Sequence, residues 1–242
     1  MVRRWLRGVV EHRPRTVLLT DAVLVGLLAL AYGLAVLTRP GQTADDALLA
    51  RGALPAGLPW PDQLRANALL PAFLVAAAAT VTCLVDRRPR SLIALLGPVI
   101  TYVLAVVLRD DLLTRPVLET GGSPTNTLPS AHVATAAALC AAAATMLGRR
   151  LAPWSATVLA VLPVLAAWAN VASGAHRPSD TVAALLLAAT VALALDVVAR
   201  PARPAPQGDS PGAVPARRPD GVASIRRGPA SAPDGTRDED TA

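Results

Sequence analysis

The sequence predicts an all-α fold: a polytopic membrane bundle of six transmembrane helices, followed by a disordered C-terminal tail. Hydrophobic residues make up 53% of the 242 residues. They gather in long blocks that are almost free of charge, whereas a soluble domain alternates apolar and polar residues. Each block approaches the roughly 20 residues that a helix needs to cross a bilayer. Arginines cluster at the ends of these blocks, where membrane boundaries are expected.

Six apolar blocks give the predicted helices in chain order, and they lie at about 16–38, 66–85, 91–108, 130–148, 152–172 and 179–199. The Gly-Pro-Val stretch at 97–99 predicts a kink in the third helix. Residues 1–15 form a charged N-terminal segment, and the transmembrane domain spans 16–199. The tail, 200–242, is rich in proline, glycine and charge, so it cannot bury enough apolar surface to fold.

The placement of arginine predicts the orientation of the bundle. The N-terminal segment, the links after the second and fourth helices, and the start of the tail are arginine-rich and fall on one side. The positive-inside rule makes that side cytoplasmic, with both termini inside the cell. The opposite, extracytoplasmic face of the cell membrane receives segments 39–65, 109–129 and 173–178.

The basic balance of the chain, with a pI near 10.8, raises the possibility of a nucleic-acid partner. We discard that partner, because arginines at the ends of apolar blocks act as topology signals and contact lipid headgroups. Membrane lipids are therefore the expected surroundings, and the sequence points to no protein partner. The two cysteines, Cys83 and Cys140, fall inside apolar blocks and show neither metal-site nor disulfide spacing.

The first extracytoplasmic segment of chemical interest ends in Leu-Pro-Ser-Ala-His at 128–132. Ser130 is the predicted N-cap of the fourth helix, so free backbone N–H groups and the positive end of the helix dipole form an anion site. His132 lies in the first turn beside that site. Arg109 and Arg115 precede it, and guanidinium groups bind phosphate in a bidentate manner.

The second segment reads Asn-Val-Ala-Ser-Gly-Ala-His-Arg-Pro-Ser-Asp at 170–180. His176 and Asp180 are four residues apart, so the carboxylate can accept a proton from one imidazole nitrogen and leave the other free as a nucleophile. Ser179 is the predicted N-cap of the sixth helix. Two of the three histidines in the chain thus converge on one face of the membrane.

These segments resemble the signature of the type 2 phosphatidic acid phosphatase superfamily, which has three parts. The first part is a lysine, six residues and Arg-Pro; here Arg109 is followed after five residues by Arg-Pro at 115–116. The second part, Pro-Ser-Gly-His, appears as Pro-Ser-Ala-His at 129–132. The third part is Ser-Arg, five residues, His, three residues and Asp, and His176 and Asp180 keep its spacing.

The resemblance implies a phosphatase that needs neither metal nor cofactor and acts on a lipid phosphate or a polyprenyl diphosphate. It implies that His176 attacks phosphorus, that Asp180 orients His176, and that His132 protonates the leaving oxygen. The residues that it implies for binding the phosphate are Arg109, Arg115, Ser130, Ala131 and Arg177.

Three departures from the signature are visible. Arg109 replaces the lysine, with one residue fewer before Arg-Pro. Ala131 adds a methyl group where the signature has glycine. Ala169 and Asn170 occupy the Ser-Arg positions, so one arginine is missing and Arg177 is the candidate to replace it.

Three other functions remain open at this point. The first is a phosphotransferase that passes the phosphoryl group to an acceptor other than water. The second is a non-catalytic protein that binds lipid phosphate, which the missing arginine favours and the His176–Asp180 pair opposes. A transporter is the most distant alternative. It predicts inverted repeats and paired polar residues within the membrane, and the sequence shows neither.

Overall fold

The computed structural model describes residues 15–55, 58–118 and 125–199, so the predictions for the rest of the N-terminal segment and for the tail lie outside the described residues. Every regular element within these ranges is helical, which confirms the predicted all-α class. Short 3₁₀ turns and one π turn, Leu108–Leu112, join or extend the α-helices. The described α-helices are α1 Arg15–Ala35, α2 Arg39–Gly52, α3 Pro59–Asn67, α4 Leu69–Val85, α5 Leu96–Val107, α6 Ala131–Leu147, α7 Pro153–Ala172 and α8 Pro178–Ala199.

Five helical stretches of the described chain are long and apolar enough to cross a membrane: Thr16–Ala35, Pro59–Val85, Ser91–Leu112, Pro153–Ala172 and Pro178–Val197. They correspond to the first, second, third, fifth and sixth predicted spans. The predicted fourth span is α6, which is apolar but has only 17 residues. The membrane character of the protein is thus supported, and the count of six spans stays a prediction.

Helix α6 lies at the centre of the bundle. It packs against four helices, α4, α5, α7 and α8. Eleven of its 17 residues are buried, and most of them are alanines, which let neighbouring helices approach closely. Large apolar side chains such as Leu74 and Val99 are each 62% exposed on the outside of the bundle, as expected of a surface that faces lipid.

Two helix boundaries differ from the prediction for local reasons. α1 ends at Ala35 rather than at position 38, because the Thr38 hydroxyl accepts a hydrogen bond from the backbone N–H of Gly41 at 3.1 Å and caps α2. The third predicted helix begins with a 3₁₀ turn, Pro89–Leu95. Pro98 therefore lies in the first turn of α5, where proline is tolerated, rather than at a kink within a longer α-helix.

Segment 39–65, which the sequence assigns to the extracytoplasmic face, contains α2 and most of α3. α2 lies at the end of the bundle that carries His132 and His176, which we call the histidine end, and it contacts α7 and α8 there. The chain after α2 is fixed by a hydrogen bond from the Leu54 N–H to the Ala172 carbonyl at 2.9 Å. α3 packs on α7, and the rings of Trp60 and Trp168 stack 5.8 Å apart.

Candidate active site

His176 and Asp180 face each other at the start of α8. The Nδ1 atom of His176 lies 3.5 Å from Oδ2 of Asp180, and the side chains are 12% and 0% exposed. This distance is longer than a good hydrogen bond, and such contacts between an imidazole and its orienting group often tighten when substrate binds. The four-residue spacing therefore does bring the two groups together. With Nδ1 directed toward the carboxylate, Nε2 is the nitrogen available for chemistry.

The Asp180 carboxylate is also held by two hydrogen bonds. Its Oδ2 atom accepts one from the Thr127 hydroxyl at 2.5 Å and one from the Arg177 backbone N–H at 3.0 Å. These two hydrogen bonds restrict the rotation of the carboxylate. Thr127 was not identified from the sequence, because its partner is 53 residues away.

A backbone hydrogen bond joins the two sequence motifs directly. The Ser130 N–H donates to the Asp180 carbonyl at 3.1 Å. Ser130 occupies the N-cap position of α6, as predicted, but its hydroxyl makes no capping hydrogen bond. That hydroxyl is buried and has no hydrogen-bond partner among the described residues. An anion at the start of α6 would supply an acceptor for it.

His132 lies in the first turn of α6 and is exposed, whereas the preceding Ala131 is buried. His132 is close enough to His176, Arg65 and Arg109 for their charges to interact with it. The structure thus places an accessible imidazole near the one that Asp180 faces.

Arg115 is a buried guanidinium whose donors are largely unused. Its side chain is 2% exposed, and both Nη atoms lack a hydrogen-bond partner among the described residues. The pKa of Arg115 is lowered, first by burial and then by the nearby charge of Arg177. A buried cation without hydrogen-bond acceptors is unfavourable, so this position is suited to an anionic ligand.

Helices α1 and α2 hold the segment that carries Arg115. The Tyr32 hydroxyl donates to the Thr114 carbonyl at 2.7 Å and accepts from the Thr114 N–H at 3.2 Å. The Gln42 side-chain amide donates to the Pro116 carbonyl at 2.8 Å. The backbone on both sides of Arg115 is therefore fixed by side chains from far upstream in the chain.

Arg177 and Arg115 meet at one carboxylate, that of Asp46 in α2. The Nε atom of Arg177 donates to Oδ1 of Asp46. The Nη2 atom of Arg115 lies 3.9 Å from the same oxygen. Two of the residues predicted to bind phosphate are thus brought together around an acidic side chain that the sequence analysis did not single out.

Its neighbour Asp45 joins α2 to α8. The carboxylate of Asp45 accepts hydrogen bonds from the Ser179 N–H at 3.0 Å and the Ser179 hydroxyl at 2.5 Å. Burial raises the pKa of Asp45, and the hydrogen bonds from Ser179 oppose this effect. The prediction of Ser179 as an N-cap is wrong, because α8 begins one residue earlier, at Pro178. The hydroxyl of Ser179 consequently serves a contact between helices.

Arg109 makes a different contact from the one predicted. Its guanidinium donates to both carboxylate oxygens of the adjacent Asp110, at 2.7 and 2.9 Å. Its carbonyl accepts from the Asn126 side chain at 3.0 Å. The role of Arg109 in binding phosphate therefore stays a prediction, and it would require this pair to open.

Asn170, which replaces the arginine of the third motif part, is fully buried. Its side-chain N–H donates to the Ala166 carbonyl at 2.7 Å within α7. The backbone carbonyl of Asn170 accepts from the Ala175 N–H at 3.1 Å and from the His176 N–H at 3.2 Å. Asn170 thus contributes to the backbone geometry that presents His176.

Within the described ranges, no group of three or more His, Cys, Asp or Glu side chains is placed to hold a metal ion. At the histidine end, the structure brings together two imidazoles, carboxylates and guanidinium groups. Chemically, an imidazole oriented by a carboxylate can act as a nucleophile or base, and buried guanidinium groups can stabilise negative charge.

The described fold is an all-helical bundle of membrane type that carries two histidines at one end. The model of the PAP2 superfamily, the type 2 phosphatidic acid phosphatases, matches residues 68–202, more than half of the chain. The protein therefore belongs to this superfamily, which confirms the resemblance and implies phosphatase-type activity. Neither the curated proteins nor the solved structures gave a match. Helices α1 and α2, which carry Tyr32, Gln42, Asp45 and Asp46, precede the matched region.

Proposed function

We propose that the protein is an integral membrane phosphatase that hydrolyses a lipid phosphate or diphosphate through a phosphohistidine intermediate. One observation carries the proposal: the buried carboxylate of Asp180 faces Nδ1 of His176, which directs Nε2 of this imidazole to act as the nucleophile. The buried guanidinium of Arg115, with unused donors, supports a neighbouring anion site.

In the first step, Nε2 of His176 attacks phosphorus while the bond from phosphorus to the lipid oxygen breaks. His132, in its protonated form, donates a proton to that leaving oxygen. The Nδ1 proton of His176 is held toward Asp180, which stabilises the positive charge that develops on the imidazole. Arg115, Arg177 and the start of α6 neutralise the oxygens of the phosphoryl group.

In the second step, His132 is neutral and accepts a proton from a water molecule. The oxygen of that water forms a bond to phosphorus, and the bond from phosphorus to Nε2 of His176 breaks. Inorganic phosphate leaves, and both histidines return to their starting protonation states. The cycle consumes one water molecule for each phosphate released, and we propose that it uses no metal ion.

The setting of the site supports the proposal of a lipid substrate. The helices around it expose large apolar side chains on the outside of the bundle, so the site lies at one end of a membrane-type surface. By the positive-inside rule, we propose that both termini are cytoplasmic and that the site is at the extracytoplasmic face of the cell membrane. The substrate candidates are phosphatidic acid, phosphatidylglycerol phosphate and a polyprenyl diphosphate.

The test is phosphate release by the purified protein in detergent, with a metal chelator present. We expect release from phosphatidic acid or a polyprenyl diphosphate, and a loss of about a thousandfold or more in His176→Ala, because the nucleophile is removed. His12→Ala, which changes the histidine of the N-terminal segment, is the matched control and should keep wild-type activity. Activity that survives in His176→Ala contradicts the phosphohistidine route.

The absence of the third-motif arginine favours a second candidate, a non-catalytic protein that binds lipid phosphate. The same assay separates the two functions, since a binding protein retains phosphate lipids but releases no phosphate. Addition of an alcohol acceptor tests the phosphotransferase alternative, because a transferase would form a new phosphate ester in place of free phosphate.

A further inference from the structure

One carboxylate oxygen of Asp46, Oδ1, lies between the guanidinium groups of the two buried arginines of the site. Arg177 donates to Oδ1 of Asp46, and Arg115 lies 3.9 Å from it. The side chains differ sharply in exposure: 41% for Asp46, against 10% for Arg177 and 2% for Arg115. The guanidinium groups are therefore enclosed, while the carboxylate lies at the edge of the site and can turn toward solvent.

The backbone that carries Asp46 is held independently of this contact. Asp45 binds Ser179, and Gln42 binds the Pro116 carbonyl. A change of side-chain rotamer is therefore sufficient to move the carboxylate of Asp46 away from the arginines, with α2 staying in place.

We propose that Asp46 is a competing carboxylate that sets the affinity of the site for phosphate and promotes release of the product. The inference rests on the proposed function, because it takes Arg115 and Arg177 as phosphate-binding residues. A phosphate held by both guanidinium groups must first displace Asp46. After hydrolysis, the return of Asp46 to the same donors helps the inorganic phosphate to leave.

Competition explains how buried guanidinium groups can bind phosphate without retaining it. Each interaction between a guanidinium and a doubly charged anion is strong when it is shielded from water, so a site without a competitor would release its product slowly. A ligand that must displace another group binds more weakly by the free energy of the contact that it replaces. Asp46 belongs to α2, which lies before the region that matches the superfamily.

The experiment measures binding of inorganic phosphate to the full-length protein in detergent by calorimetry, for the wild type and for Asp46→Asn. We expect the Kd of the variant to fall by about three- to tenfold, the range for loss of a partly exposed ion pair as competitor. Asp46→Glu, which keeps a carboxylate, should stay near the wild-type Kd. Asp111→Asn removes the same charge from an exposed residue after α5 and should leave the Kd unchanged.

Tighter binding is an outcome that damage to the fold does not produce, so a gain in affinity supports competition. Unchanged, weaker or undetectable binding to Asp46→Asn overturns the inference, and weaker binding would show that Asp46 positions the arginines. Hydrolysis is assayed on the same preparations. If Asp46→Asn binds phosphate more tightly but neither protein has activity, the competition for phosphate stands, whereas the proposed function and the role in product release are refuted.

Discussion

Asp180 is the residue on which the geometry of the site depends most. One of its oxygens faces His176 and accepts from Thr127 and from the Arg177 backbone. Its backbone carbonyl accepts from Ser130, so the same residue positions both motif segments. A displacement of Asp180 would therefore move both the proposed nucleophile, His176, and the start of α6.

Thr127→Val should lower kcat by about tenfold or more, because it removes a hydrogen bond to a charged group that orients His176. Valine has nearly the shape of threonine, so the loss is confined to the hydroxyl. Phosphate-release kinetics give kcat and KM separately. Thr157→Val, which removes an exposed hydroxyl bonded within α7, is the control. An equal loss in the two variants would contradict an orienting role for Thr127.

At the residue scale, sequence reasoning succeeded where the partners are close in the chain. His176 and Asp180 could be paired because four residues separate them across the start of a helix. Asp46 and Thr127 could not, since their partners lie 131 and 53 residues away. Arg109 was expected to bind phosphate, but the adjacent carboxylate of Asp110 takes its donors.

Helix α2 acts as a support for the segment that carries Arg115. Its residue Gln42 is buried and donates to the carbonyls of Val36, at 2.7 Å, and Pro116, at 2.8 Å. It thereby joins the α1–α2 connection to the segment that follows α5. The position of Arg115, which we propose binds phosphate, thus depends on a polar contact made by a different element.

Gln42→Leu should raise KM by about fivefold while kcat changes less, because it leaves two carbonyls unpaired and loosens the backbone beside Arg115. The measurement is a substrate titration with purified protein in detergent. Asn67→Leu removes an exposed amide that bonds only within α3, and it serves as the control. A loss in kcat at constant KM would contradict the view that Gln42 acts through phosphate binding.

At the element scale, the apolar helices were predictable and the polar ones were not. The length and apolar content that a membrane helix needs are local properties of the chain, so α1, α7 and α8 were found within a few residues of their ends. Helix α2 contains Pro40, Gly41 and two aspartates, and its position is fixed by hydrogen bonds to segments far away in the chain. No local pattern predicts such contacts.

The whole bundle has two chemically different ends. The histidine end holds the site, whereas the other end carries Asp86, which forms an ion pair with Arg150 at 2.5 Å, and the arginine-rich links. The superfamily and the apolar helices place the protein in a membrane, and the distribution of arginine predicts which end faces the cytoplasm.

Cysteine labelling tests this orientation. Asp62→Cys lies at the histidine end, and Arg150→Cys lies at the opposite end. We expect a membrane-impermeant maleimide to label the first variant in intact cells and the second only after permeabilisation. The native Cys83 and Cys140 are each 2% exposed, so the unsubstituted protein should give little background. The reverse pattern would contradict the proposed orientation.

The alanine-lined centre of the bundle limits which amino-acid substitutions this protein can tolerate. Ala134 and Ala143 in α6 are completely enclosed, so a single added methylene there has no room and costs about 1–3 kcal/mol. The outer leucines and valines meet no such limit, and one apolar residue can replace another. We therefore expect tolerated variation to accumulate on the surface of the bundle, while α6 admits little beyond the smallest side chains.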